Sequence, residues 1–79
     1  SKRIKANVEY TIDLRGVKCP HNFIKTKLKL EELNKGDTLM IFIDDGESIN
    51  NVPRSIENEG YRTLSINRVD TYYQVLIEK

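Results

Sequence analysis

The sequence predicts a two-layer α/β sandwich of order β-α-β-α-β-β, a mixed four-stranded sheet with two helices packed on one face. Three patterns carry that prediction. Val8, Tyr10, Ile12 and Leu14 alternate with Glu9, Thr11 and Asp13, the period-2 signature of a strand with one buried face. Two later segments place apolar residues at helical spacing, each closed by a glycine. Two strand-like runs at the end of the chain are joined by a tight turn. Strand–helix–strand crossovers are right-handed, so two in succession followed by a hairpin bring both helices to one face of one sheet.

The elements follow in order. Gly16 breaks the first strand, and Pro20 suits the first helical position, where its missing N–H has no partner to lose. Phe23, Thr26, Leu30 and Leu33 then form one buried stripe, and Asn34-Lys35-Gly36 ends the helix, with Gly36 at the left-handed C′ position. Leu39 to Ile43 is a continuous apolar run, the pattern of an interior strand covered on both sides or nearly so. Asp44-Asp45-Gly46 turns the chain into a second helix marked by Ile49, Val52 and Ile56. Proline is tolerated only in a first turn, so Pro53 sets the start of that helix near Asn50 or Asn51; Gly60 closes it. Tyr61 to Arg68 and Thr71 to Glu78 are the last two strands, turning at Val69-Asp70.

The 79 residues suffice for one small domain, residues 1–79, with the first seven expected as a poorly ordered leader. Hydrophobic content of 38% and charged content of 32% fit a soluble globular chain. No apolar run approaches the roughly 18 residues of a membrane span, and the polar, basic start has no secretory pattern. A single cysteine cannot form an internal disulfide, which points to a reducing, cytoplasmic compartment. The net charge of +1 argues against nucleic-acid binding by bulk electrostatics.

Cys19 is the residue that points to chemistry. It precedes Pro20 at the start of a helix, and as N-cap its sulfur would face the amides of His21, Asn22 and Phe23, which no intrahelical carbonyl reaches. Those donors, the positive end of the helix dipole and the nearby bases Arg15 and Lys18 favour the nucleophilic thiolate. The competing reading is a half-buried cysteine acting as a small hydrophobe. Among reactive roles, a protease needs a base and an oxyanion hole in a cleft, whereas His21, the sole histidine, follows in the first turn of the same helix and reads as an exposed side chain. Dithiol exchange needs a second cysteine, and a metal site needs three or four ligands where Cys19 and His21 supply two at most. A thiolate that accepts a group and passes it to another protein remains, with no metal and no cofactor.

From Leu14 to Leu30 the chain carries five bases (Arg15, Lys18, Lys25, Lys27 and Lys29) and no acid. Ile24 and Leu28 lie one helical turn apart and off the buried stripe, beside Lys25 and Lys27. They either meet the second helix or form an exposed apolar patch next to the thiol, suited to docking on a partner. A non-catalytic binding or regulatory module docking through this basic helix is therefore the alternative function. Single-stranded RNA binding through Tyr61, Tyr72 and Tyr73 is a weaker one, since only Arg62 and Arg68 accompany them.

Asp-Leu-Arg-Gly-Val-Lys-Cys-Pro at 13–20, with Thr26-Lys27, Leu30, Leu33, Gly36, Asp44-Asp45, Val52-Pro53 and Gly60, resembles the TusA/SirA-like sulfur-carrier family from about Tyr10 to Lys79. The resemblance implies the same element order and a persulfide on Cys19. It implies a cysteine desulfurase or rhodanese-type protein as sulfur donor and a downstream sulfur acceptor protein as partner, with no membrane and no direct nucleic-acid contact. Pro20 matches the first proline of the family's Cys-Pro-x-Pro motif. Asn22 stands in place of the second, which marks a divergent variant; it restores an amide donor and adds a side-chain amide, which either help hold a persulfide anion or are neutral drift.

Overall fold

The computed structural model describes residues 8–79, and the expected leader lies outside the described residues. The elements are β1 (Glu9–Asp13), α1 (His21–Glu32), β2 (Thr38–Asp44), α2 (Glu47–Asn58), β3 (Arg62–Val69) and β4 (Tyr72–Glu78). They form one four-stranded sheet in the order β1-β2-β4-β3. β1 and β2 are parallel, with Tyr10 opposite Leu39 and Ile12 opposite Ile41. β4 runs antiparallel to both β2 and β3.

Register decides which side chains share a face. Leu39, Ile41 and Ile43 of β2 and Val75 and Ile77 of β4 are fully buried with Leu14, Leu30, Val52 and Ile56, which places the core between the sheet and the two helices. The apolar run of β2 is covered on one side only: Met40 and Phe42 alternate with the buried residues and stay half-buried on the open face. Both helices lie on the other side, so shelter here comes from neighbouring side chains instead. Phe42 meets the Tyr72 ring at a centroid distance of 5.6 Å, and the Arg15 guanidinium lies 4.6 Å from the Tyr72 centroid. Tyr61 and Tyr73 pack against the core, so the three tyrosines form no common platform for bases.

Three boundaries differ from expectation. Cys19 and Pro20 form a turn ahead of α1, joined by a cis peptide, and Pro20 rather than Cys19 is the N-cap. At its other end α1 is capped at Leu33, so Gly36 belongs to the following turn. The ending is held by Asp37 just past the helix and by Lys79 from the other end of the chain. Buried Asp37 accepts hydrogen bonds from the Asn34 N–H and the Val8 N–H, both at 3.0 Å, and Lys79 Nζ donates to the Leu30 carbonyl at 2.6 Å.

α2 begins at Glu47, several residues earlier than its proline suggests, and carries Pro53 inside. Pro53 cannot donate to the carbonyl four residues back. The helix nonetheless extends upstream because Ser48 is buried beside α1 and Ile49 packs on the core. It ends as expected at Gly60, whose φ of +98° suits glycine. There the Gly60 N–H reaches the Glu57 carbonyl and the Tyr61 N–H reaches that of Ile56, the paired bonds of a Schellman ending.

β3 carries a bulge between Thr63 and Ser65. The β3–β4 turn is Asp70-Thr71, one residue later than read from the sequence.

Candidate functional site

Parallel β1 and β2 end on the same side of the sheet, and Tyr72 at the start of β4 lies opposite Asp44. The segment 14–20, the Asp45-Gly46 turn and the β3–β4 turn therefore gather at one end. Cys19 lies there, a free half-buried thiol one residue ahead of the helix cap. Pro20 and His21 beside it are exposed.

The residues around Cys19 hold the segment in place. Arg15 pairs with Asp13 through two side-chain contacts, Nε to Oδ1 at 2.9 Å and a terminal nitrogen to Oδ2 at 2.7 Å. Its backbone N–H also donates to Asp13 Oδ1 at 3.0 Å. The Arg15 side-chain and backbone bonds hold the Asp13 carboxyl down to about 2. The Gly16 N–H donates to Asp44 Oδ2 at 2.7 Å, which ties the segment to the end of β2. Arg15 thus lies over the open sheet face with its charge matched by Asp13, rather than adding free positive potential at the sulfur. Lys18 and Lys25 are exposed and, among the described residues, have no carboxylate within ion-pair distance.

The first-turn amides differ from expectation in a way that matters chemically. The Asn22 N–H donates to the Lys18 carbonyl at 3.1 Å, and the Phe23 N–H to Asn22 Oδ1 at 2.7 Å. Two of the three amides expected to face the sulfur are therefore committed elsewhere. The Asn22 side chain does not face the sulfur either. It is fully buried, and its Nδ2 donates to Ser48 Oγ at 2.9 Å and to the Val17 carbonyl at 3.3 Å. The Asn22 carbonyl accepts from Thr26 Oγ1 at 2.8 Å. Sequence reasoning missed the bonds of Ser48 to Asn22 and of Asp44 to Gly16 because each pair is far apart along the chain and meets only through the crossover.

Ile24 and Leu28 are 44% and 56% exposed, so they lie at the surface and not in the core. With His21 and Lys25 they make one stripe of α1 leading away from Cys19. Lys27 leaves that stripe to pair with Glu59 at 3.2 Å, and Glu59 holds its ammonium pKa above the ordinary lysine value. Among the described residues no group of three or more His, Cys, Asp or Glu side chains could hold a metal ion, and no helix is long and apolar enough to cross a membrane.

The profile of the family described as sulfurtransferase TusA matches residues 10–79. The chain belongs to the TusA family. The match spans all six elements and includes Cys19. A family relative in Archaeoglobus fulgidus, named as a candidate sulfur carrier protein, is 44% identical over 100% of this chain and 89% of its own length. The sulfur carrier protein TusA of Buchnera aphidicola is 34% identical, covering 86% of each chain. The crystal structure of a SirA-like protein from Desulfitobacterium hafniense superposes with a TM-score of 0.75 at 28% identity, over 87% of this chain and 95% of that one. The TusA-family fold is thus the mixed sheet with two helices on one face described above.

Proposed function

We propose that this TusA-family chain is a sulfur carrier of the cytosol that holds one sulfane sulfur as a persulfide on Cys19 and passes it between partner proteins. The observation that carries this reading is the placement of the chain's one thiol: half-buried, one residue before a helix cap, within the span that matches the family. The names of the relatives as sulfur carriers support it.

The chemistry balances without an external oxidant. The Cys19 thiolate attacks the outer sulfur of a donor persulfide, a new S–S bond forms as the donor's S–S bond breaks, and the donor leaves as a thiolate. An acceptor nucleophile then attacks the outer sulfur on Cys19, and Cys19 leaves as a thiolate in turn. A cysteine desulfurase or a rhodanese-type protein fits the first role and a downstream acceptor protein the second.

Docking falls to the exposed stripe of α1. Ile24 and Leu28 give an apolar centre, while Lys18 and Lys25 give an uncompensated positive rim that speeds encounter with an acidic partner surface. Lys27 adds less, because Glu59 already neutralises it.

Intact mass after incubation with a cysteine desulfurase and cysteine tests the reading. Wild type gains one sulfur and Cys19→Ser gains none. Equal labelling of the two would overturn the persulfide on Cys19 and leave the binding-module reading of the same helix face.

A further inference from the structure

Asn22 occupies the first position of the buried stripe of α1, ahead of Thr26 and Leu30. An apolar side chain would fill that volume without needing partners, whereas a buried amide must have every group bonded. Here all of it is. One donor bond reaches Val17 in the segment that carries Cys19, another reaches Ser48 in the first turn of α2, and Oδ1 takes the Phe23 N–H of α1. The amide therefore joins the thiol-bearing segment to both helices at a depth no water reaches.

We propose that Asn22 is a positioning residue: anchored on Ser48, it fixes the Val17–Cys19 segment so that the sulfur is presented in one geometry for transfer. The role rests on the persulfide reading of Cys19. It explains why a polar side chain occupies this core position, and it gives Ser48, far from the thiol in sequence, a part in the same device.

The test is the rate of sulfur loading from a cysteine desulfurase supplied with cysteine, followed by intact mass while the carrier concentration is varied. Misplacing a reacting atom lowers the chemical step more than binding, so Asn22→Ala lowers kcat about tenfold with KM little changed. Ser48→Ala lowers kcat in the same direction by less, and Ser48→Thr, which keeps the hydroxyl, restores it. A purely structural role gives a different result: a smaller folded fraction raises the apparent KM and leaves kcat alone. Amide hydrogen exchange at Val17, Lys18 and Cys19 accelerates in both alanine variants while exchange in β2 is unchanged.

Should Asn22→Ala fail to fold, the Ser48→Ala and Ser48→Thr pair decides the matter. Folded Ser48→Ala with wild-type kcat and wild-type exchange overturns the positioning role. Failure of wild type to take up sulfur overturns the persulfide reading instead, so the two failures are told apart.

Discussion

The two ends of α1 are held by different means. At the carboxyl end Lys79, from the other end of the chain, donates Nζ to the Leu30 carbonyl, and Asp37, just past the helix, spans the Asn34 and Val8 amides. At the amino end the bonds come from the preceding turn, from Asn22 itself and from the first turn of α2. The carboxyl end ties α1 to both β1 and the end of the chain, so it belongs to the stability of the whole domain. The amino end is tied to the preceding turn and, through Ser48, to α2. Cys19 itself lies beside these anchoring bonds, and its thiol stays half exposed at the surface.

Breaking the carboxyl end has the largest effect. Asp37→Ala removes a buried carboxylate with two N–H partners and costs about 3 kcal/mol of stability, read from urea unfolding. Sulfur loading of the protein that remains folded is unchanged. Loading that fell in the folded fraction would show that the two ends are not independent.

The exposed stripe at the amino half comes next. Leu28→Asp leaves the unfolding midpoint near wild type, because Leu28 is 56% exposed, and weakens binding to a desulfurase about tenfold through faster dissociation. Unfolding by this substitution would move Leu28 into the core and leave the lysines as the recognition surface.

The smallest effect lies in the segment before Cys19. Asp13 titrates at about 2 in the folded chain against an ordinary 3.8. A lowered folded value means that its pairing with Arg15 stabilises the fold fully above the ordinary value, and that the contribution is lost as pH falls from there through about 2. Carboxyl NMR titration should show this midpoint, and Arg15→Ala should return it toward the ordinary value. The same variant leaves α1's carboxyl end undisturbed.

The sequence made the element order legible because each element has its own period: alternation in β1, a stripe in α1, a glycine stop at Gly60. Of the stripe read from spacing, Thr26, Leu30 and Leu33 are buried and Phe23 is half-buried, while Asn22 takes the first buried position. Interactions between distant segments were not legible. Asp37 and Lys79 end α1, where a local reading assigned that task to Gly36. Pro53 marked a helix start by local rules, but Ser48 and Ile49 packing on α1 and the core drew the helix upstream past it. β2 looked covered on both faces because half-burial on the open side, under Arg15 and Tyr72, selects the same apolar residues as full burial. At the site, the place of Cys19 and Pro20 at the entrance to α1 and the exposure of His21 were legible, whereas spacing left Ile24 and Leu28 open between surface and helix contact. The inward turn of Asn22 was not legible, since its partner Ser48 is 26 positions away.

The bulge between Thr63 and Ser65 has a consequence for self-association. β3 is an edge of the sheet, and an edge strand with regular unpaired amides invites another chain to add a strand to it. The extra residue interrupts that regularity midway, and exposed Arg62 and Arg68 flank the interruption with like charges. Exposed Leu64 and Ile66 lie on this edge, where a flat strand would let copies zip together by their backbones. The break in the ladder and the two arginines work against that zipping of copies along this apolar edge.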